Sequence, residues 1–338
     1  MYYFTNFLMN PVTLGAFFSD LVQQVGGPSG SWVYIIGVFI CSLWAGSIVF
    51  RGIHVSSRGA FLFLLIEIAV VLGLCLTVLI QAPSHGQAVN FSGFQIASSP
   101  TGFSGILKAM IFGVLAYCGF DVVSTLAEET KLAKKFIPEA TLLALLLFAI
   151  FIVFGSWALS LGEPLARIEQ IANSGSMPIT VIANDFWGKG AALVSFTAMS
   201  ASLGLAVATA VGASRILFSM GRSGLAPAAL ADLDSRFQVP WRSLILIFVV
   251  GTLFALAWGY GMGPFNAYVW WGTASTFFAM ITYLFVNLAA LILHRNQIFK
   301  SLSGFFLFGF IPALGISANF YLLIRAFFME LWGQGWSM

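Results

Sequence analysis

Charge is the scarcest feature of this chain. Of 338 residues only 8% are Asp, Glu, Lys or Arg, while 59% are hydrophobic. A soluble domain carries about 25% charge, so a soluble globular protein is excluded and a polytopic membrane protein is implied. The net charge of +3 builds no basic nucleic-acid surface. Cysteine is nearly absent. Cys41, Cys75 and Cys118 fall in apolar runs at irregular spacing, which gives neither a disulfide framework nor a metal signature, and they read as buried small hydrophobes. The three histidines, His54, His85 and His294, are scattered among different connections, so no metal site is built on them. A nucleophile elbow, a Walker loop and zinc spacing are all missing, and with them any support for an enzyme or for a resident cofactor. The N-terminal segment Met1 to Leu8 has no basic region and no small-residue cleavage site, so it is not a signal peptide.

What the chain has in abundance is apolar runs of about 20 residues, enough to cross a bilayer as helices. Eight stand out: Trp32–Phe50, Ala60–Ile80, Phe103–Leu126, Thr141–Leu161, Ala191–Phe218, Leu244–Tyr260, Ala267–Leu293 and Phe305–Phe328. The basic residues orient them. Arg51 and Arg58, then Lys131, Lys134 and Lys135, then Arg222, Arg236 and Arg242, and finally Arg295 and Lys300 occupy alternate connections. The connections between those are almost free of Lys and Arg: 81–102 and 261–266 have none, and 162–190 has only Arg167 and Lys189. The positive-inside rule makes the basic connections cytoplasmic. Residues 1–31 hold no Lys or Arg and are expected outside, as an extracellular segment or the tail of a preceding span. The polar connection Glu163–Lys189 is long enough for short helices over the outer face.

Within the third run, Tyr117-Cys118-Gly119-Phe120-Asp121 is costly to place in hydrocarbon. A carboxylate at mid-membrane costs about 2.5–3.5 kcal/mol on insertion scales, and Gly gives up about 1 kcal/mol of helix propensity against Ala. Such costs are borne where a membrane helix opens and presents backbone groups to a cargo. The segment leaves the membrane through Ala127-Glu128-Glu129-Thr130-Lys131 and reaches Pro138. A broken transporter helix at 117–121 is therefore expected, against the plainer alternative that Gly119 only lets a neighbouring helix approach.

Gly119-Phe120-Asp121 with Leu126-Ala127-Glu128-Glu129-Thr130-Lys131 and Ile137-Pro138 resembles the sixth helix and following loop of the amino acid–polyamine–organocation transporters. Ala208-Thr209-Ala210, Ser214-Arg215, Met220-Gly221-Arg222 and Gly224-Leu225-Ala226-Pro227 resemble the end of that family's eighth helix and the loop beyond. The resemblance covers nearly the whole chain. It implies an all-α polytopic fold of two inverted five-helix repeats, here partial, in the plasma (inner) membrane. Residues 32–81 would be the last two helices of the first repeat, 103–293 the second repeat and 305–328 a peripheral helix. The family's first three helices and its last have no counterpart.

By resemblance, Ala116, Cys118, Gly119 and Phe120 bind the substrate, an amino acid or related amine, with Phe120 as an aromatic wall. Asp121 is a hydrogen-bond anchor for the break, a proton carrier, or simply solvated. Glu67, the other intramembrane carboxylate, is an ion-coupling group or a structural hydrogen-bonding group. Ser200, Ser202 and Thr209 are candidate sodium oxygens or helix-packing residues, which leaves proton, sodium and exchange open as driving modes. Glu128 and Glu129 with Arg215 or Arg222 form a cytoplasmic gate or a solvated charge cluster. Trp270-Trp271 reads as lipid contact and interfacial anchoring, or as an aromatic cage for a cation. Two functions follow: secondary active transport by alternating access, or a truncated, non-transporting membrane subunit. The oligomeric state is not legible.

Overall fold

The computed structural model describes residues 1–51, 57–99, 102–121, 123, 132–164, 167, 170–171 and 176–324. Among the described residues there is no strand; the regular structure is helical throughout. The long helices are α1 (Tyr2–Gln24), α2 (Ser31–Phe50), α3 (Ser57–Gln81), α4 (Gly102–Tyr117) and α5 (Ala133–Ser160). A shorter α6 (Pro178–Trp187) precedes α7 (Ala191–Arg222), α8 (Trp241–Met262) and α9 (Pro264–Leu293). The last, α10 (Leu302–Leu322), carries a π-helical stretch at Phe305–Phe310. Among the described residues seven helical segments are long and apolar enough to cross a membrane. The chain is an integral, multi-pass membrane protein.

Each expected span is found as a helix, with two informative departures. The run Phe103–Leu126 does not continue as one helix, because α4 stops at Tyr117 after 16 residues. The second lies in residues 1–31, expected as an extracellular segment or the tail of a preceding span: Tyr2–Gln24 form the 23-residue helix α1, about 35 Å long at 1.5 Å per residue. Three helices therefore precede α4, not two. Polar residues hid it from the hydropathy pattern: Thr5, Asn6, Asn10, Thr13, Ser19 and Asp20 interrupt its apolar run.

Those same residues explain why α1 holds together. Pro11 lies inside the helix and removes one backbone donor. On either side of it, Asn10 Nδ2 donates to the Asn6 carbonyl at 3.1 Å and Thr13 Oγ1 donates to the Met9 carbonyl at 2.7 Å. The carbonyl that loses its helical donor is that of Phe7, four residues before Pro11, and these side chains bond the carbonyls close to it in the same turns.

The chain divides into two compact units. The larger comprises Tyr3–Gly93 and Gly119–Trp271, the smaller Met1–Tyr2, Phe94–Cys118 and Gly272–Met338. In the larger unit α1 is the most enclosed element, with Phe7, Leu8, Val12 and Leu14 fully buried. It runs antiparallel to α7. Tyr3 packs on Gly212, Asn10 meets Thr209, and Gln24 meets Ser195 near the other end. Gly15 faces Gly37 and Tyr34 of α2, and Gly251 of α8 lies directly beneath the Phe7 ring, where a Cβ would overlap it. Small residues at such contacts let membrane helices approach closely. A second core joins α3, α6 and α7 through Leu74, Val78, Ala183 and Val194.

The smaller unit has its own core. Ile111 of α4 packs with Met280 of α9 and Leu322 of α10, supported by Val114, Phe277 and Ile281.

Candidate functional site

The break is built by one residue. Gly119 has φ +109° with no heavy atom near the place a Cβ would occupy, so its conformation, not crowding, demands glycine. Just before it the Cys118 N–H bonds the Leu115 carbonyl at 3.0 Å, the tightening that ends a helix. Phe120 and Asp121 follow in 3-10 conformation. A helix ending at Tyr117 leaves its last carbonyls without intrahelical donors, and its C-terminus carries about half a negative elementary charge. Such an end attracts an ammonium group. Ala116, Cys118, Gly119 and Phe120 are all half-buried, neither sealed in a core nor fully exposed.

Asp121 is held from the side by α1. The Tyr3 hydroxyl donates to its carboxylate, and the Tyr3 ring lies against Gly212 of α7. That geometry favours the anchor reading over simple solvation. One turn further along α1, Asn6 is 4% exposed and its Oδ1 has no hydrogen-bond partner among the described residues. Asn10, 2% exposed, donates to Thr209 Oγ1 at 3.1 Å. Tyr3, Asn6 and Asn10 share one helix face by their spacing. No expectation included them. Their signal was present in the sequence as polar groups at positions 3, 6 and 10 of an aromatic-rich stretch.

Glu67 sits half-buried on α3, with the Ser200 side chain of α7 beside its carboxylate. The other two candidate oxygens are engaged elsewhere. Ser202 Oγ donates to the Ala198 carbonyl at 2.8 Å, and Thr209 Oγ1 donates to the Leu205 carbonyl at 2.8 Å while accepting from Asn10. Nine residues apart on a helix at 100° per residue, Ser200 and Thr209 point to opposite faces. The three oxygens are therefore not brought together, and only Ser200 reaches a carboxylate.

Towards the C-terminal end of α7 Arg215 is half-buried, while Arg222 is exposed with its guanidinium 5.7 Å from the Phe218 ring centre. Glu128 and Glu129 lie outside the described residues. The tryptophan pair differs from a lipid anchor. Trp270 and Trp271 meet edge-to-face at 4.6 Å, and Phe254 and Trp258 of α8 close around Trp271, which is 6% exposed. Trp271 is an interior packing residue.

Comparison with known proteins gives the same direction. The model of the amino acid permease family matches residues 1–333. A branched-chain amino acid permease of Bacillus subtilis is 25% identical over 70% of this chain and 48% of its own length. A low-affinity putrescine importer of Escherichia coli is 25% identical over 91% of this chain and 65% of its own. Cationic amino acid transporter 4 of Mus musculus is 28% identical over 63% of this chain and 32% of its own. The chain thus spans about a third to two thirds of the length of these relatives.

Proposed function

The chain belongs to the amino acid permease family, and on that premise we propose that it takes part in moving amino acids or related amines across the plasma membrane, with the cargo held at the break that follows α4. The observation that carries this reading is Gly119 at φ +109° directly after a helix end, with Asp121 anchored by Tyr3. An opened helix end offers carbonyls to an ammonium group. Asn6, buried with an unsatisfied oxygen, is a further acceptor on the face of α1 that carries Tyr3. An unpaired buried acceptor costs about 1–3 kcal/mol, a cost relieved whenever a donor on the cargo arrives.

The test is uptake of radiolabelled branched-chain amino acids and putrescine into proteoliposomes. Gly119→Leu abolishes uptake while membrane insertion persists, because a leucine is strained at a positive φ and the break shifts. Normal uptake by this variant removes the site from the break. For the driving ion, Glu67 of α3 with Ser200 of α7 is the group we assign to coupling. Glu67→Gln changes the dependence of uptake on pH or on sodium, and an unchanged ion dependence makes Glu67 structural.

A further inference from the structure

A polar cavity of about 340 Å³ lies in the larger unit between the C-terminal turn of α1 and the N-terminal part of α6. It is away from the helix break, in the part of the chain that the charge rule places outside. Asp20, Gln23, Gln24, Ser176, Thr180 and Asn184 line it, with Val181 as the apolar exception. Its walls are fixed to each other. Below the rim Ala16, Phe17 and Met177 form an apolar cluster backed by Ile179, Phe265 and Tyr268. At the rim the Thr180 hydroxyl donates to Asp20 Oδ2 at 2.8 Å, and the Ser195 hydroxyl of α7 donates to Gln24 Oε1 at 3.0 Å. The cavity is a built feature of the fold.

Its lining selects a ligand class. Among the described residues Asp20 is the only charged one in the lining, and no Lys, Arg or His contributes, so an anion is disfavoured. The ion pair nearby in sequence, Arg167–Asp185 at 3.6 Å, leaves Asp20 out, and among the described residues Asp20 has no cationic partner. A half-buried carboxylate neutralised only by a hydroxyl retains most of its attraction for a cation. A single carboxylate is too few for calcium, and no nitrogen or sulfur ligand suits zinc. A cavity of about 340 Å³ is room for an organic molecule of several heavy atoms.

We propose that this cavity is an outer binding site for a small organic ammonium, held by Asp20 with the amide oxygens of Gln23, Gln24 and Asn184. A primary ammonium has three N–H donors. The Asp20 oxygen not bonded to Thr180 takes one, and the surrounding amides take the others. The site is independent of the break, and its occupancy is an equilibrium property that transport does not have to report.

The test is equilibrium binding of radiolabelled putrescine to the purified chain in lipid nanodiscs. The unmodified chain shows a component that Asp20→Asn weakens about tenfold, the loss expected for one charge-assisted hydrogen bond of about 1.4 kcal/mol. Gln23→Lys removes the same component by placing a tethered ammonium in the cavity. Gln23 is exposed, so that variant folds, as a matching thermal midpoint verifies. Binding unchanged in both variants, or no binding by the unmodified chain, overturns the proposal.

Discussion

Helices α1 and α5 have similar lengths, 23 and 28 residues, and opposite surroundings. On α5 the run Leu142, Leu143, Leu146, Leu147 and Ile150 is exposed, a face made for lipid tails. On α1, Phe7, Val12 and Leu14 are fully buried, and so are the polar Thr5, Asn6 and Asn10. Hydropathy therefore finds α5 at once and passes over α1. The difference is physical. A lipid-facing helix must be apolar all along its outer face, whereas a helix enclosed by protein can carry amides and hydroxyls wherever a neighbour satisfies them. In this chain the enclosed helix is also the one that touches the break, through Tyr3 and Asp121. The most informative helix for function is the least membrane-like in composition.

The comparison breaks most visibly at Gly251. A Cβ there would already overlap the Phe7 ring, and Gly251→Leu adds three more carbons against the fully buried centre of α1. Overpacking of this kind costs about 1–3 kcal/mol or more, and close helix approach has no substitute where the backbone itself is the contact. We expect most of the folded protein to be lost, read as the monodisperse fraction after detergent extraction. A normal yield means that α1 does not depend on this contact.

A smaller effect sharpens the role of the buried polar face. Asn10→Leu removes the donor to Thr209 and to the Asn6 carbonyl, a loss of about 1–3 kcal/mol where a buried group is left unpaired. The melting midpoint falls by several degrees. Combining it with Thr209→Val replaces both partners with apolar groups, and the double variant costs less than the sum of the two single ones. Strict additivity would show that Asn10 and Thr209 act separately.

How much was legible follows from the same contrast. Seven of the eight apolar runs are helical along essentially their whole described length, because length and hydropathy are sufficient signals for segments that face lipid; the run Phe103–Leu126 is helical only to Tyr117. The break was legible at Gly119-Phe120-Asp121 because both its glycine and its carboxylate are out of place in a span. In the structure Gly119 has φ +109°, a backbone conformation that suits a glycine at a helix end. What was not legible was α1, and with it Tyr3, Asn6 and Asn10, since hydropathy discards a helix whose polar groups are paid for by partners distant in sequence. Asn10 and Thr209 are 199 residues apart, and no local pattern encodes that pairing. The three hydroxyls of α7 show the converse limit. Ser200, Ser202 and Thr209 are close in sequence, yet helix geometry and back-bonding to Ala198 and Leu205 send them to different tasks.

The smallest effect is the strictest check on the comparison. Leu14 on α1 is fully buried and Leu146 on α5 is 60% exposed, so the same Leu→Ala change asks two different questions. At Leu14 it opens a cavity inside protein, worth about 2–5 kcal/mol. At Leu146 lipid tails, as apolar as leucine, fill the space, and the change stays within about 0.5 kcal/mol. The measurement is the midpoint of thermal unfolding in lipid nanodiscs, with the two variants run side by side. If Leu146→Ala destabilises the protein as much as Leu14→Ala, the outer face of α5 has a protein partner and not lipid. The contrast between the two helices would then be one of partner, not of solvent.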